Sequence, residues 1–103
     1  MTRVKELIDL ELVINQQKVA LVINIFSQTA QEVRVLIQIH SLFKLFYLPS
    51  GLKIRVDLNS DSVELEAGEA DKFIQLEFIE LLNSQFRVNK MLNSITINGY
   101  FVT

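Results

Sequence analysis

Between Glu32 and His40 apolar and polar residues alternate without a break. Val33, Val35, Ile37 and Ile39 hold one parity; Glu32, Arg34, Leu36, Gln38 and His40 hold the other. A period of two is the mark of a strand with one buried face. The pattern recurs three times further on. Leu52, Ile54, Val56 and Leu58 alternate with Lys53, Arg55, Asp57 and Asn59; Val63, Leu65 and Ala67 with Glu64 and Glu66; Ile74, Leu76 and Phe78 with Phe73, Gln75 and Glu77. Two earlier segments read differently. Leu7–Ile14 is apolar with Asp9 and Glu11 turned outward, and Lys18–Phe26 is apolar on both parities, as expected of a central strand covered on both faces. Short apolar runs also suit helices, but the enrichment in Val and Ile favours strands. Gln85–Leu92 and Ile95–Val102 flank Asn93-Ser94 as a terminal hairpin. The least defined segment, Ile79–Ser84, fits a helical turn.

Polar breaks separate these segments: Asn15-Gln16-Gln17, Ser27–Gln31, Asn59-Ser60-Asp61 and Gly68. One break, Pro49-Ser50-Gly51, holds the only proline and one of just three glycines. Three apolar segments precede it and five shorter ones follow. Strands spaced by about ten residues with turns between them predict an all-β fold. The expectation is an antiparallel β-sandwich, immunoglobulin-like or jelly-roll-like, of about seven or eight short strands in a single domain over residues 1–103.

Composition narrows the function classes. Half of the 103 residues are hydrophobic and 21% are charged, a globular balance. The net charge is −2 and the ten basic residues are scattered, so neither nucleic acid nor an anionic membrane is an expected partner. The absence of cysteine excludes disulfides, thiolate catalysis and zinc–thiolate sites. Met1–Glu6 reaches charges too soon for an apolar signal core, and no apolar run nears the ~18 residues of a membrane span. The expectation is a soluble cytoplasmic domain.

Three constellations touch on chemistry, and each has an ordinary explanation. His40 is the only histidine and could act as a base, yet no serine has the flanking glycines of a nucleophile elbow, and a place at the end of a strand's polar face accounts for it. Asp57, Asn59 and Asp61, with Glu64 beyond, have the spacing that opens a calcium loop. Its sixth position is Ser62 where glycine is needed, and its twelfth is Gly68 where a bidentate glutamate is needed. Glu64, Glu66, Glu69 and Asp71 form an acidic group, but Glu64 and Glu66 share one solvated strand face, whereas glycoside hydrolysis needs two carboxylates across a cleft. No catalytic residue, metal ligand or cofactor site is assigned.

The approach to the Pro-Ser-Gly corner is different. Leu42, Phe43, Leu45, Phe46, Tyr47 and Leu48 place six apolar groups in one short connection. Left exposed, such a cluster exceeds what a monomer usually shows and marks a contact surface, with aromatics suited to anchor it. Formed into a further strand, or packed over an open end of the sandwich, it would be buried. Periodicity leaves the two open.

The chain also resembles a known family. Leu7-Ile8-Asp9-Leu10 followed by Val19-Ala20-Leu21-Val22 resembles that family's opening hairpin. Tyr47-Leu48-Pro49-Ser50-Gly51-Leu52 resembles its Tyr-Leu-Pro-Pro-Gly-Leu corner, and Ala70-Asp71-Lys72-Phe73-Ile74-Gln75-Leu76 its Ala-Asp-Asn-Tyr-Ile-Gln-Leu strand start. The end resembles a Phe-Ser-Val hairpin closing on Phe-Val. The family is an uncharacterised cyanobacterial one, domain of unknown function 1822 (DUF1822). The resemblance implies a cyanobacterial source and a β-rich C-terminal domain that follows a further N-terminal region. It brings no activity, cofactor or catalytic residue. Two segments depart from the pattern: Ser41–Phe46 and Ile79–Asn83 carry large apolar groups where the family has small or Gly/Pro-rich loops, which suggests extra buried surface.

The expected function is a non-enzymatic β-sandwich module that makes protein–protein contacts, as a homo-oligomer or a subunit of a larger assembly, through Leu42, Phe43, Leu45, Phe46 and Tyr47. The alternative is a small-ligand or carbohydrate-binding sandwich using the polar faces near Asp57, Asp61 and Gln75.

Overall fold

The alternating segments become strands whose apolar faces turn toward one another. The computed structural model describes residues 3–14, 17–41, 47–59, 61–92 and 95–103. Along them run β1 (Arg3–Ile14), β2 (Gln17–Ser27), β3 (Glu32–Ser41), β4 (Lys53–Asp57), β5 (Ser62–Glu66), β6 (Phe73–Leu81), β7 (Gln85–Leu92) and β8 (Ile95–Val102). They form two four-stranded sheets, ordered β1-β2-β3-β6 and β5-β4-β7-β8. Every described pairing is antiparallel.

The sheet order decides between the two sandwich types expected. The strands β2-β3-β6 and β5-β4-β7-β8 follow the A-B-E and C′-C-F-G order of an immunoglobulin-like sandwich, and β1 extends the first sheet beyond β2. A jelly roll would set the first and last strands side by side, whereas β1 and β8 lie in different sheets.

β3 shows how closely side-chain parity follows the sequence. Val33, Val35, Ile37 and Ile39 are buried, and each residue between them is partly exposed. They join Leu21, Ile23 and Ile25 of β2 in one apolar cluster with Ile54, Val56, Phe86 and Val88 from the other sheet. Fully burying a side chain of this size contributes about 1.5–3 kcal/mol, so the facing layers account for most of the stabilisation. β2 is central, as its composition implies, but its outer face carries no second layer among the described residues. Val22 and Phe26 are partly exposed there, and Ala20 and Asn24 are sheltered between their strand neighbours. Lys90 breaks the apolar parity of β7. It is 2% exposed, in register with Ile54 and Ile97, and held by a polar or electrostatic interaction of its own.

The Pro-Ser-Gly corner carries the chain from the first sheet to the second. The Leu52 N–H donates to the Pro49 carbonyl at 3.1 Å, closing a turn in which Gly51 takes φ 86°. Only glycine adopts that angle without strain. The turn is then stitched to the segment after β5: Gly51 N–H donates to Ala67 O, and Ala67 N–H to Leu52 O. Leu48 N–H donates to Asp71 O, while the Asp71 carboxylate accepts the Gly68 N–H at 2.7 Å. Leu48 and Leu52 are buried beneath these bonds. A methyl group added at Gly51 would find Glu66 Oε1 no nearer than 3.8 Å, so the strain at this site is backbone alone. Gly51→Ala is therefore expected to cost about 1–2 kcal/mol, read as a lower urea midpoint with unchanged slope. A variant as stable as the parent would show that the corner tolerates another φ.

Ile79–Ser84 corrects the expectation of a helical turn and of extra buried surface. β6 runs on through Leu81, and the turn after it places Asn83 at φ 66°, an angle asparagine tolerates better than most residues. Ile79, Leu81 and Leu82 are each about half exposed. Thr103 closes this end: its Oγ1 donates to Leu81 O and accepts from Ser84 N–H, and its own N–H donates to Ser84 O.

Candidate binding surfaces

The outer face of the second sheet is polar because the residues alternating with the core on β4, β7 and β8 are Arg55, Asp57, Arg87, Asn89 and Tyr100. Register sets Asp57 opposite Arg87 and Arg55 opposite Asn89. It sets Arg87 opposite Tyr100 on the other side. Asp57 is the hub. Its Oδ2 accepts from Arg87 Nε at 2.9 Å, Arg87 Nη2 at 2.6 Å and Asn89 Nδ2 at 2.8 Å. Arg55 Nε lies 3.2 Å from Oδ1, near enough to attract the charge but not aligned as a hydrogen bond. Asn89 also donates to the Arg55 carbonyl, which explains why an outward-facing amide is almost wholly buried.

This arrangement fixes both charges. The Arg87 hydrogen bond holds the Asp57 carboxyl below its ordinary value of 3.8, helped by Asn89 and by the nearby Arg55 charge, against a smaller opposing effect of burial. Arg87 is held still further in its charged form, its pKa raised by the hydrogen bond to Asp57 first and then by one with Tyr100. A carboxylate whose value is lower in the folded than in the unfolded chain stabilises above the unfolded value, and that contribution disappears as pH falls through the folded one. The melting-temperature gap between the wild type and Asp57→Asn is thus expected to be constant near neutrality and to close below about pH 4. A gap that persists undiminished to pH 2 would contradict the ion-pair account.

Next to this hub, at the end of the sheet, lies an open cleft of about 260 Å³. Asp57, Asn59, Gln85, Arg87 and Tyr100 bring polar groups to it, with the partly buried Leu58 and the backbone around the buried Phe86 behind them. Tyr100 is 64% exposed.

The second surface is the outer face of β3 and β6. The His40 ring stacks on Phe73 with centroids 5.3 Å apart, and its Nε2 lies 3.1 Å from Gln38 Oε1. Gln38 Nε2 in turn donates to Gln75 Oε1, so His40 is one end of a side-chain ladder. Further along, Arg34 lies over the Phe26 ring and 3.8 Å from Glu77. At the corner end, Lys72 Nζ sits 5.8 Å from the centre of the half-exposed Tyr47 ring.

The residues singled out from sequence fall as follows. Leu42, Phe43, Leu45 and Phe46 lie outside the described residues; of that stretch, Tyr47 is exposed and Leu48 is buried. Asp57 lines the cleft. Asp61 serves the turn after β4, where its carbonyl accepts from Leu58 N–H and its carboxylate from Ser62 N–H. Gln75 is on the other sheet, so the three polar residues offered together for ligand binding do not converge. Glu64 pairs with Lys53 at 3.2 Å, and Asp71 caps its own turn. Among the described residues no three acidic or histidine side chains gather as a metal site, and no helix is long and apolar enough to cross a membrane. Arg87, Asn89 and Tyr100 went unnoticed in the sequence. Their only signal is a polar parity on β7 and β8, which ordinary surface residues share.

Comparison with curated proteins found no match, and comparison with solved structures found none either. The family model described as "Protein of unknown function (DUF1822)" matches residues 1–102, and the chain belongs to that family.

Proposed function

We propose that the protein is a non-enzymatic β-sandwich module that acts through protein contacts, pairing along β6 with another copy of its own chain. One observation carries this reading: β6 is an edge strand that offers apolar groups to solvent. Among the described residues it pairs only with β3, and Phe73, Ile79 and Leu81 on its outward parity are each about half exposed. An open edge bearing apolar side chains is the substrate of strand addition. In an antiparallel pairing with Phe78 opposite its own copy, Ile79 would face Glu77 and Leu81 would face Gln75. No two like charges stand directly opposite in that register, and the two outer faces would join in one sheet. Tyr47, beside Lys72, flanks the Phe73 end.

A non-enzymatic role fits the electrostatics of the cleft. The shifts at Asp57 and Arg87 drive both groups deeper into their charged forms, away from the near-neutral values an acid–base catalyst needs.

Size-exclusion chromatography with light scattering tests the proposal. The wild type is expected to run as a dimer at tens of micromolar, and Phe73→Asp combined with Leu81→Asp as a monomer that still unfolds cooperatively. A monomeric wild type, or a dimer indifferent to both substitutions, overturns it.

A further inference from the structure

The cleft beside Asp57 lies on the sheet opposite β6 and calls for its own account. It brings together an aromatic ring (Tyr100), a carboxylate (Asp57), a guanidinium (Arg87) and two amides (Asn59 and Gln85) beside the partly buried Leu58.

Charge identifies the ligand class. Three donor hydrogens from Arg87 and Asn89 already satisfy Asp57 Oδ2, and Arg55 approaches Oδ1, so the carboxylate is a poor cation ligand. The Arg87 charge is likewise spent on Asp57, which leaves little net attraction for an anion. What survives is directional hydrogen bonding. Arg87 keeps guanidinium hydrogens beyond those given to Asp57, and each amide offers one acceptor and two donors. A vicinal diol needs such a donor–acceptor pairing, and a sugar's C–H face packs on an aromatic ring. The volume is below the ~300 Å³ where drug-sized pockets begin, so a single ring is the fitting occupant.

We propose that this cleft binds a neutral sugar ring, seated on Tyr100 and hydrogen-bonded by Asn59, Gln85 and the Asp57–Arg87 pair. Because Tyr100 is largely exposed, its removal leaves the fold intact and separates binding from stability.

The experiment is an amide NMR titration of the full chain. The probes are glucose, galactose, mannose, N-acetylglucosamine, maltose and cellobiose, with acetate, inorganic phosphate and calcium as charged comparators. At least one sugar is expected to shift the amides of residues 57–59, 85–87 and 100 at millimolar concentration, with Tyr100→Ala weakening it tenfold or more at unchanged melting temperature. The proposal is overturned if no sugar moves these amides, if a charged comparator binds there more tightly, or if Tyr100→Ala binds as the parent does. None of these readouts depends on oligomeric state, so the test is separate from that of β6 pairing.

Discussion

Phe86→Ala is expected to lower stability by about 3–5 kcal/mol, the range for deleting a large aromatic from a close-packed core. Phe86 is 2% exposed and joins the sheets. Its ring meets Phe78 of the facing sheet edge-on at 5.5 Å and lies against Phe101 of the neighbouring strand at 5.7 Å. Truncation removes both aromatic contacts at once, and two sheets held apart by their backbones collapse poorly into the gap. Against a total of roughly 5–15 kcal/mol, the loss would lower the melting temperature by roughly 15–30 °C. Phe73→Ala is the control. That ring is half exposed and packs on one side, against His40, so its loss should stay within about 1 kcal/mol. Urea unfolding of the two variants decides the matter, and equal losses would refute the two-sheet core described here.

Leu52→Ala comes second, at about 2–5 kcal/mol. Leu52 is inaccessible to solvent and stands where the corner delivers the chain to β4. Its N–H and carbonyl are both tied into the turn and the segment after β5. A cavity there removes apolar support from the bonds that hold Ala67 and Leu48. Leu65→Ala, on the edge strand β5 beside β4, starts from 36% exposure and should cost less than half as much. Thermal denaturation of the pair separates burial from mere apolar character, and a Leu65→Ala variant as damaged as Leu52→Ala would contradict the assignment of Leu52 to the core.

The strands were legible because burial leaves a period in the sequence. For β3, β4 and β6 the inward residues are those that alternation selects. Gly51 was legible as a corner because few residues accept its backbone angle. Other features were hidden for identifiable reasons. The extension of β6 to Leu81 was missed because Ile79 and Leu81 are apolar yet face solvent, which breaks the link between apolarity and burial. The Asp57–Arg87–Asn89 hub depends on the pairing of β4 with β7. Register between strands thirty residues apart is set by the packed fold and is not written in either strand alone. Asp57 therefore stood out only as part of an incomplete calcium loop, while the guanidinium and amide that hold it did not stand out at all.

The pairing of β6 with β3 has a kinetic consequence. His40 meets Phe73 only after the corner has turned and β4 and β5 have formed or been bypassed, so this closure is costly in chain entropy and late. Until then β3, one of the most apolar strands, presents an unfilled edge. A nascent chain would display β1, β2 and β3 in that state while the rest is still being made. The interval before β6 arrives is when this protein is most exposed to misassembly.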